Sequence, residues 1–174
     1  MTDEPSVLQR HRRAIAGFEA VIPLVDSALE SPCDGWTVAD VVSHVTDIHT
    51  VMAKRLGESP AGDGWPAARD AALRGLSRPG AIDDVIDVPN GGEMTAGRFV
   101  NVVTTDVLVH TWDVARAGGI DVELDAELVE RAHTAALPMD SMIRSTGMFG
   151  PRVDVDDAAD PQSKMLAFFG RDPR

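Results

Sequence analysis

A stripe at helical spacing runs through Phe99, Val103, Asp106, His110, Asp113 and Ala117, and no other stretch of the chain limits its fold as tightly. The steps alternate four, three, four, three and four. That is the seam of a helix packed in a bundle, so side chains at these positions point into the core. Yet three of the six are Asp106, His110 and Asp113. Burying a carboxylate costs on the order of several kcal/mol unless a cation or a set of hydrogen bonds compensates. A divalent metal ion held inside the bundle meets that need.

A second polar group lies upstream, in Thr37-Val38-Ala39-Asp40-Val41-Val42-Ser43-His44. Thr37 is suited to cap a helix, with Asp40 as the acid of a capping box. Val41, His44, Ile48 and Val51 then follow at helical spacing and place His44 on an apolar face. One imidazole from one helix, with an acid and an imidazole one turn apart on another, is a known way to build a metal site in a four-helix bundle. His44, Asp106 and His110 are therefore the candidate metal ligands. Three protein ligands leave a coordination position open, as catalytic sites do and closed structural sites do not. Zinc suits this ligand set first, and nickel, iron or manganese also fit it.

Each residue also has a plainer reading. A single core histidine is commonly just hydrogen-bonded, and Asp106 with His110 is also the spacing of an intrahelical pair. Asp113 has three readings: a fourth ligand, an acceptor for an imidazole N–H, or a partner for Arg116, with the acceptor role favoured. Trp36 and Trp112 are expected to line the core or a pocket wall. His11 lies among Arg10, Arg12 and Arg13, His49 falls off the His44 stripe, and His133 lies among polar residues, so all three are expected at the solvated surface. Cys33 sits in a turn beside Asp34, a setting that disfavours a thiolate nucleophile.

The chain of 174 residues is long enough to bury a core without staples and reads as a single domain over 1–174. One cysteine excludes an intramolecular disulfide. The N-terminus lacks a basic segment followed by an apolar run, and no apolar stretch is long enough to span a bilayer, so a cytoplasmic protein without a membrane partner is expected. A net charge of -12 repels phosphate backbones and excludes nucleic acid as a natural partner. A homodimer is left open.

Periodicity and breakers predict an all-α chain. A first helix is expected over about Ser6–Glu30, with Ile15, Phe18, Ile22 and Val25 inward and Pro23 kinking or splitting it. A turn at Pro32–Gly35 leads to the helix after Thr37, which is expected to stop near Gly57. A short helix over Trp65–Leu76 follows. Ile82–Val88 and the turn residues Pro89-Asn90-Gly91-Gly92 predict a hairpin or extended excursion. Thr95 then caps the seam helix, which ends at Gly118-Gly119. A helix over Asp125–Ile143, with Leu128, Ala132 and Ala135 inward and an irregularity at Pro138, precedes an extended Pro151–Asp157 and a last helix over Pro161–Phe169.

Three segments in this order resemble one family. They are Ser31-Pro32-Cys33-Asp34-Gly35-Trp36-Thr37-Val38 leading to His44, then Asp106-Val107-Leu108-Val109-His110-Thr111-Trp112-Asp113, and finally Phe149-Gly150-Pro151 through Gly170-Arg171-Asp172-Pro173. Together they are similar to the mycothiol-dependent maleylpyruvate isomerase-like branch of the DinB superfamily. The resemblance implies a four-helix bundle and a divalent metal on three side chains, a pattern that falls on His44, Asp106 and His110. It also implies mycothiol as thiol cofactor. Two departures stand out: the isomerases carry glutamate where this chain has Asp106, and a further C-terminal domain where this chain has a short tail after Gly150. Maleylpyruvate itself is accordingly not the expected substrate.

The chemistry implied is Lewis-acid activation of a small-molecule thiol, whose thiolate then attacks a small electrophile. Addition to an activated double bond, rotation and loss of the thiol isomerises the bond, whereas displacement at carbon makes a thiol transferase. The alternative is a stress or sensing module in which the ion only neutralises the polar seam. A third reading is a metal-free domain whose His44, Asp106, His110 and Asp113 form a hydrogen-bonded network.

Overall fold

The computed structural model describes residues 6–88, 92–145, 147 and 149–174. It is an all-α bundle with one small hairpin, in the order α1 (Val7–Val21), α2 (Val38–Arg55), α3 (Gly64–Ser77), β1 (Val85–Asp87), β2 (Glu93–Thr95), α4 (Ala96–Ala117), α5 (Ala126–Ala136), α6 (Asp140–Ser145) and α7 (Pro161–Phe168). α1 packs on α4 and α2 on α3, with α2 also against α4, and α7 covers α5. Among the described residues no helix is long and apolar enough to cross a membrane.

Local chemistry explains most of the boundaries. Ser6 opens α1 with a capping box in which its backbone N–H donates to Gln9 Oε1 and its hydroxyl accepts from Gln9 N. The expected helix to Glu30 is corrected. α1 ends at Val21, and Ile22–Leu24 form a single 3-10 turn. Pro23 has no N–H to give the Glu19 carbonyl, so the ladder stops there and Ile22 and Val25 are only half-buried. Thr37 and Asp40 make the capping box of α2, which terminates just before Gly57 at φ +79°. The hairpin pairs Val85 with Thr95, Ile86 with Met94 and Asp87 with Glu93. Its expected turn at Pro89, Asn90 and Gly91 lies outside the described residues.

α4 is the central helix. Thr95 caps it, and its later half is buried on nearly every side. The helix expected over Asp125–Ile143 is α5, a 3-10 turn Leu137–Met139 around Pro138, and α6. Ala136 rather than Ala135 faces the core, which corrects the expected inner face. Two long-range ties close the structure. Arg13 of α1 holds Asp125, the cap of α5, at 2.9 and 2.7 Å. After α7, the chain reverses at Gly170 (φ +81°), where a Cβ would meet the backbone of Gly150 and Pro151 at 3.1 Å. That reversal carries Arg171 back to α4.

Candidate metal centre

The structure brings His44, Asp106 and His110 together. His44 Nε2 lies 3.1 Å from Asp106 Oδ2, and His110 Nε2 lies 3.5 Å from Asp106 Oδ1. The imidazoles meet edge to face with centroids 5.0 Å apart. One ligand atom from each residue falls within 4.8 Å of the others. Ligands bonded to one zinc ion at about 2.0–2.2 Å in tetrahedral array stand about 3.3–3.6 Å from each other, and the two measured spacings, which run to different oxygens of Asp106, are close to that range.

Exposure differs across the three. His44 is 36% exposed and Asp106 19%, whereas His110 is 8% exposed. The group is open on the His44 side. Trp36 stands on that side, its ring 5.3 Å from that of His44 and nearly parallel to that of His110 at 6.2 Å. Its loop is pinned by Ser31 N–H to Trp36 O, Trp36 N–H to Cys33 O and Val38 N–H to Leu29 O. Trp112 does not join it. Two residues beyond His110, and so about 200° round the helix, it is buried on another face beneath the guanidinium of Arg116.

His110 is a bridge between two groups. Its Nδ1 donates to Asp113 Oδ2 at 2.9 Å, and Cys33 Sγ lies 4.0 Å from the same nitrogen. The Cys33 thiol donates to Asp113 Oδ2 at 3.2 Å. Arg171 completes the cluster, giving Nε to Asp113 Oδ1 at 3.0 Å, Nη2 to Oδ2 at 2.8 Å and Nη2 to Cys33 Sγ at 3.1 Å. Cys33, His110 and Asp113 also have metal-ligand spacing. There, however, Arg171 already supplies the positive charge, and a second cation would meet its repulsion.

The electrostatics follow from this arrangement. Burial opposes ionisation of Asp106, but the imidazoles of His110 and His44 outweigh it and hold the carboxyl below the usual carboxylate range. Burial likewise disfavours charge on His110, and Asp106, Asp113 and Cys33 overcome it, raising that imidazole well above an ordinary histidine. Asp113 is held low against its own burial by His110 and Arg171. Two negative charges thus face one another across His110, the outer one in direct contact with the imidazoles of His44 and His110 and, farther off, within the field of Arg171.

Two expectations fail. His11 and His49 were expected at the surface and are fully buried. The inner stripe of α2 is Val38, Val41, Val45, His49 and Met52, one position round from the expected one, and His44 lies at its edge. His133 is half-buried against Phe168, with centroids 5.8 Å apart. Sequence reasoning also missed Cys33 and Arg171 as neighbours of the site. Arg171 pairs with Asp113 across 58 positions, and nothing in local spacing announces that contact.

Residues 8–87 match the family described as the mycothiol maleylpyruvate isomerase N-terminal domain. The match takes in Cys33, Trp36 and His44 and ends before α4. Uncharacterized proteins from two strains of Mycobacterium tuberculosis are 32% identical to this chain over 180 aligned positions, which cover 96% of it and 98% of each relative. No solved structure matches the chain.

Proposed function

This chain belongs to the mycothiol maleylpyruvate isomerase N-terminal domain family, within the DinB superfamily, and from that membership we propose that His44, Asp106 and His110 hold a divalent ion for thiol chemistry. The observation that carries the proposal is the placement of the ligand atoms within 4.8 Å around a largely buried carboxylate that is balanced by imidazoles. Zinc is the first choice, and nickel, iron and manganese suit the same donors. When bound, such an ion supplies Lewis acidity, which favours thiolate over thiol near neutral pH.

The protein's own groups do the rest. Asp113 accepts the Nδ1 proton of His110 and so fixes its tautomer, leaving Nε2 as the ligating nitrogen. Arg171 holds Asp113 in place through both carboxylate oxygens. Trp36 forms an apolar wall beside the exposed edge of His44, where a small-molecule thiol such as mycothiol and a small electrophile enter. Transfer of the thiol to the electrophile, or its addition and loss to isomerise a double bond, is the proposed outcome. The exposure of His44 and Trp36 favours this over a capped, purely structural ion. The same proposal takes residues 1–174 as one cytoplasmic domain, with Arg13–Asp125 and Arg171–Asp113 tying its early and late parts together.

Thiol affinity tests it. Zinc-loaded protein is expected to bind a low-molecular-weight thiol and to change its tryptophan fluorescence on binding, a change absent from Trp36→Phe, and the metal-free protein is not. Equal thiol binding with and without metal contradicts the proposal.

A further inference from the structure

A second pair of histidines occupies the middle of the bundle, apart from the site above. His11 on α1 and His49 on α2 are each fully buried, their rings 17° from parallel with centroids 5.2 Å apart. Trp65 on α3 stands edge-on to His49 at 4.8 Å. Thr104 on α4 closes the fourth side. Its hydroxyl donates to Val100 O at 2.7 Å, so it accepts from His11 Nδ1 at 3.0 Å. The Val45 carbonyl can only accept, so the His49 Nδ1 at 2.7 Å also carries its hydrogen. Both rings are therefore Nδ1–H tautomers. Each leaves a buried Nε2 lone pair without a hydrogen-bond donor among the described residues.

From this geometry we propose that the His11–His49 pair is an acid-sensitive lock, with the bundle closing on two neutral imidazoles and opening when either accepts a proton at Nε2. Protonation turns a tolerated bare acceptor into a buried N–H with no acceptor, and sets a charge in apolar surroundings beside a second ring. The neighbouring elements offer little to offset it. α3 presents the uncharged Trp65, whose indole is committed to Glu19 of α1, an acid that also pairs with Arg69. α4 presents Thr104 and, farther off, Asp106, whose charge favours a proton on His49.

Burial prevails over that pull. It lowers His49 to about 4 despite the Val45 carbonyl and Asp106, and burial together with the field of His49 lowers His11 well below an ordinary histidine. In the unfolded chain both titrate near about 6.5. Between the two values the unfolded state binds more protons, so stability is complete above about pH 6.5 and is lost as pH falls toward about 4. The lock needs no metal. Because α2 and α4 carry His44, Asp106 and His110, its opening also separates those residues.

Ring-15N histidine NMR and circular dichroism on the full chain test the proposal across this pH range. His11 and His49 are expected to stay neutral Nδ1–H tautomers while the helices persist, and to charge only as helicity is lost. His11→Phe and His49→Phe keep the ring and leave no donor orphaned. Each is expected to flatten the pH dependence of the unfolding constant by about tenfold per pH unit. Titration of either ring inside the folded protein would overturn the proposal, as would undiminished acid sensitivity in the double variant. Should the variants not fold, the wild-type ring spectra decide it.

Discussion

His110 Nδ1 lies 2.9 Å from Asp113 Oδ2, and this one hydrogen bond settles which imidazole nitrogen faces Asp106. Asp113 is fully buried three residues along the same helix face, so it acts on the proposed centre through His110. Asp113→Asn keeps an acceptor but removes the charge. Zinc affinity is expected to fall about 10- to 100-fold, with helicity at neutral pH retained. Competitive zinc titration checks the first and circular dichroism the second.

Arg171 is the counter-ion of that buried acid, with only 11% of its side chain exposed. Arg171→Met leaves a buried carboxylate without its cation and is expected to cost about 3 kcal/mol or more. By contrast, Arg55→Ala breaks a pair with an Asp87 that is 71% exposed, and stability is expected to stay within about 0.5 kcal/mol. Urea unfolding of the two variants beside wild type measures the difference.

Cys33 has ligand spacing to His110 and Asp113, but Arg171 already donates to its sulfur. Cys33→Ser is therefore expected to leave the bound metal at the wild-type stoichiometry. Elemental analysis of the purified variant checks this, and loss of the ion would move the centre to the Cys33 side of His110.

Gly75 on α3 faces α2 so closely that a Cβ there would lie 2.7 Å from Leu56 Cβ. In an open helix, replacing glycine by alanine gains about 1 kcal/mol. Here Gly75→Ala is expected to destabilise by about 1–3 kcal/mol, because neither helix can withdraw without loosening the α2–α3 contact. A lowered thermal midpoint is the readout.

How far the sequence could be read depended on how local each feature is. The polar seam of α4, the Thr37–Asp40 capping box and the stop at Gly118 are written in spacings of three and four or in single residues, and each lies where those signals place it. The face of α2 was harder. Valine or isoleucine at 38, 41, 42, 45, 48 and 51 spreads apolar character over about half its circumference, so periodicity alone could not say that His49 points inward and His44 lies at the edge. The end of α1 turned on whether Pro23 bends a helix or stops it, and periodicity does not separate the two; the chain turns extended at Val25, so the helix stops. Arg171 and Cys33 reach the site through chain reversals that leave no periodic trace. His11 was hidden by arginine neighbours that say nothing about where its own ring points.

Native mass spectrometry of protein purified without chelators tests most directly whether His44, Asp106 and His110 converge on one ion. The expected result is one divalent ion per chain in wild type, absent from His44→Ala and His110→Ala while both variants keep their helical spectra. A wild-type chain that carries no ion after incubation with zinc, nickel, iron or manganese, or an ion retained undiminished in both variants, would contradict it.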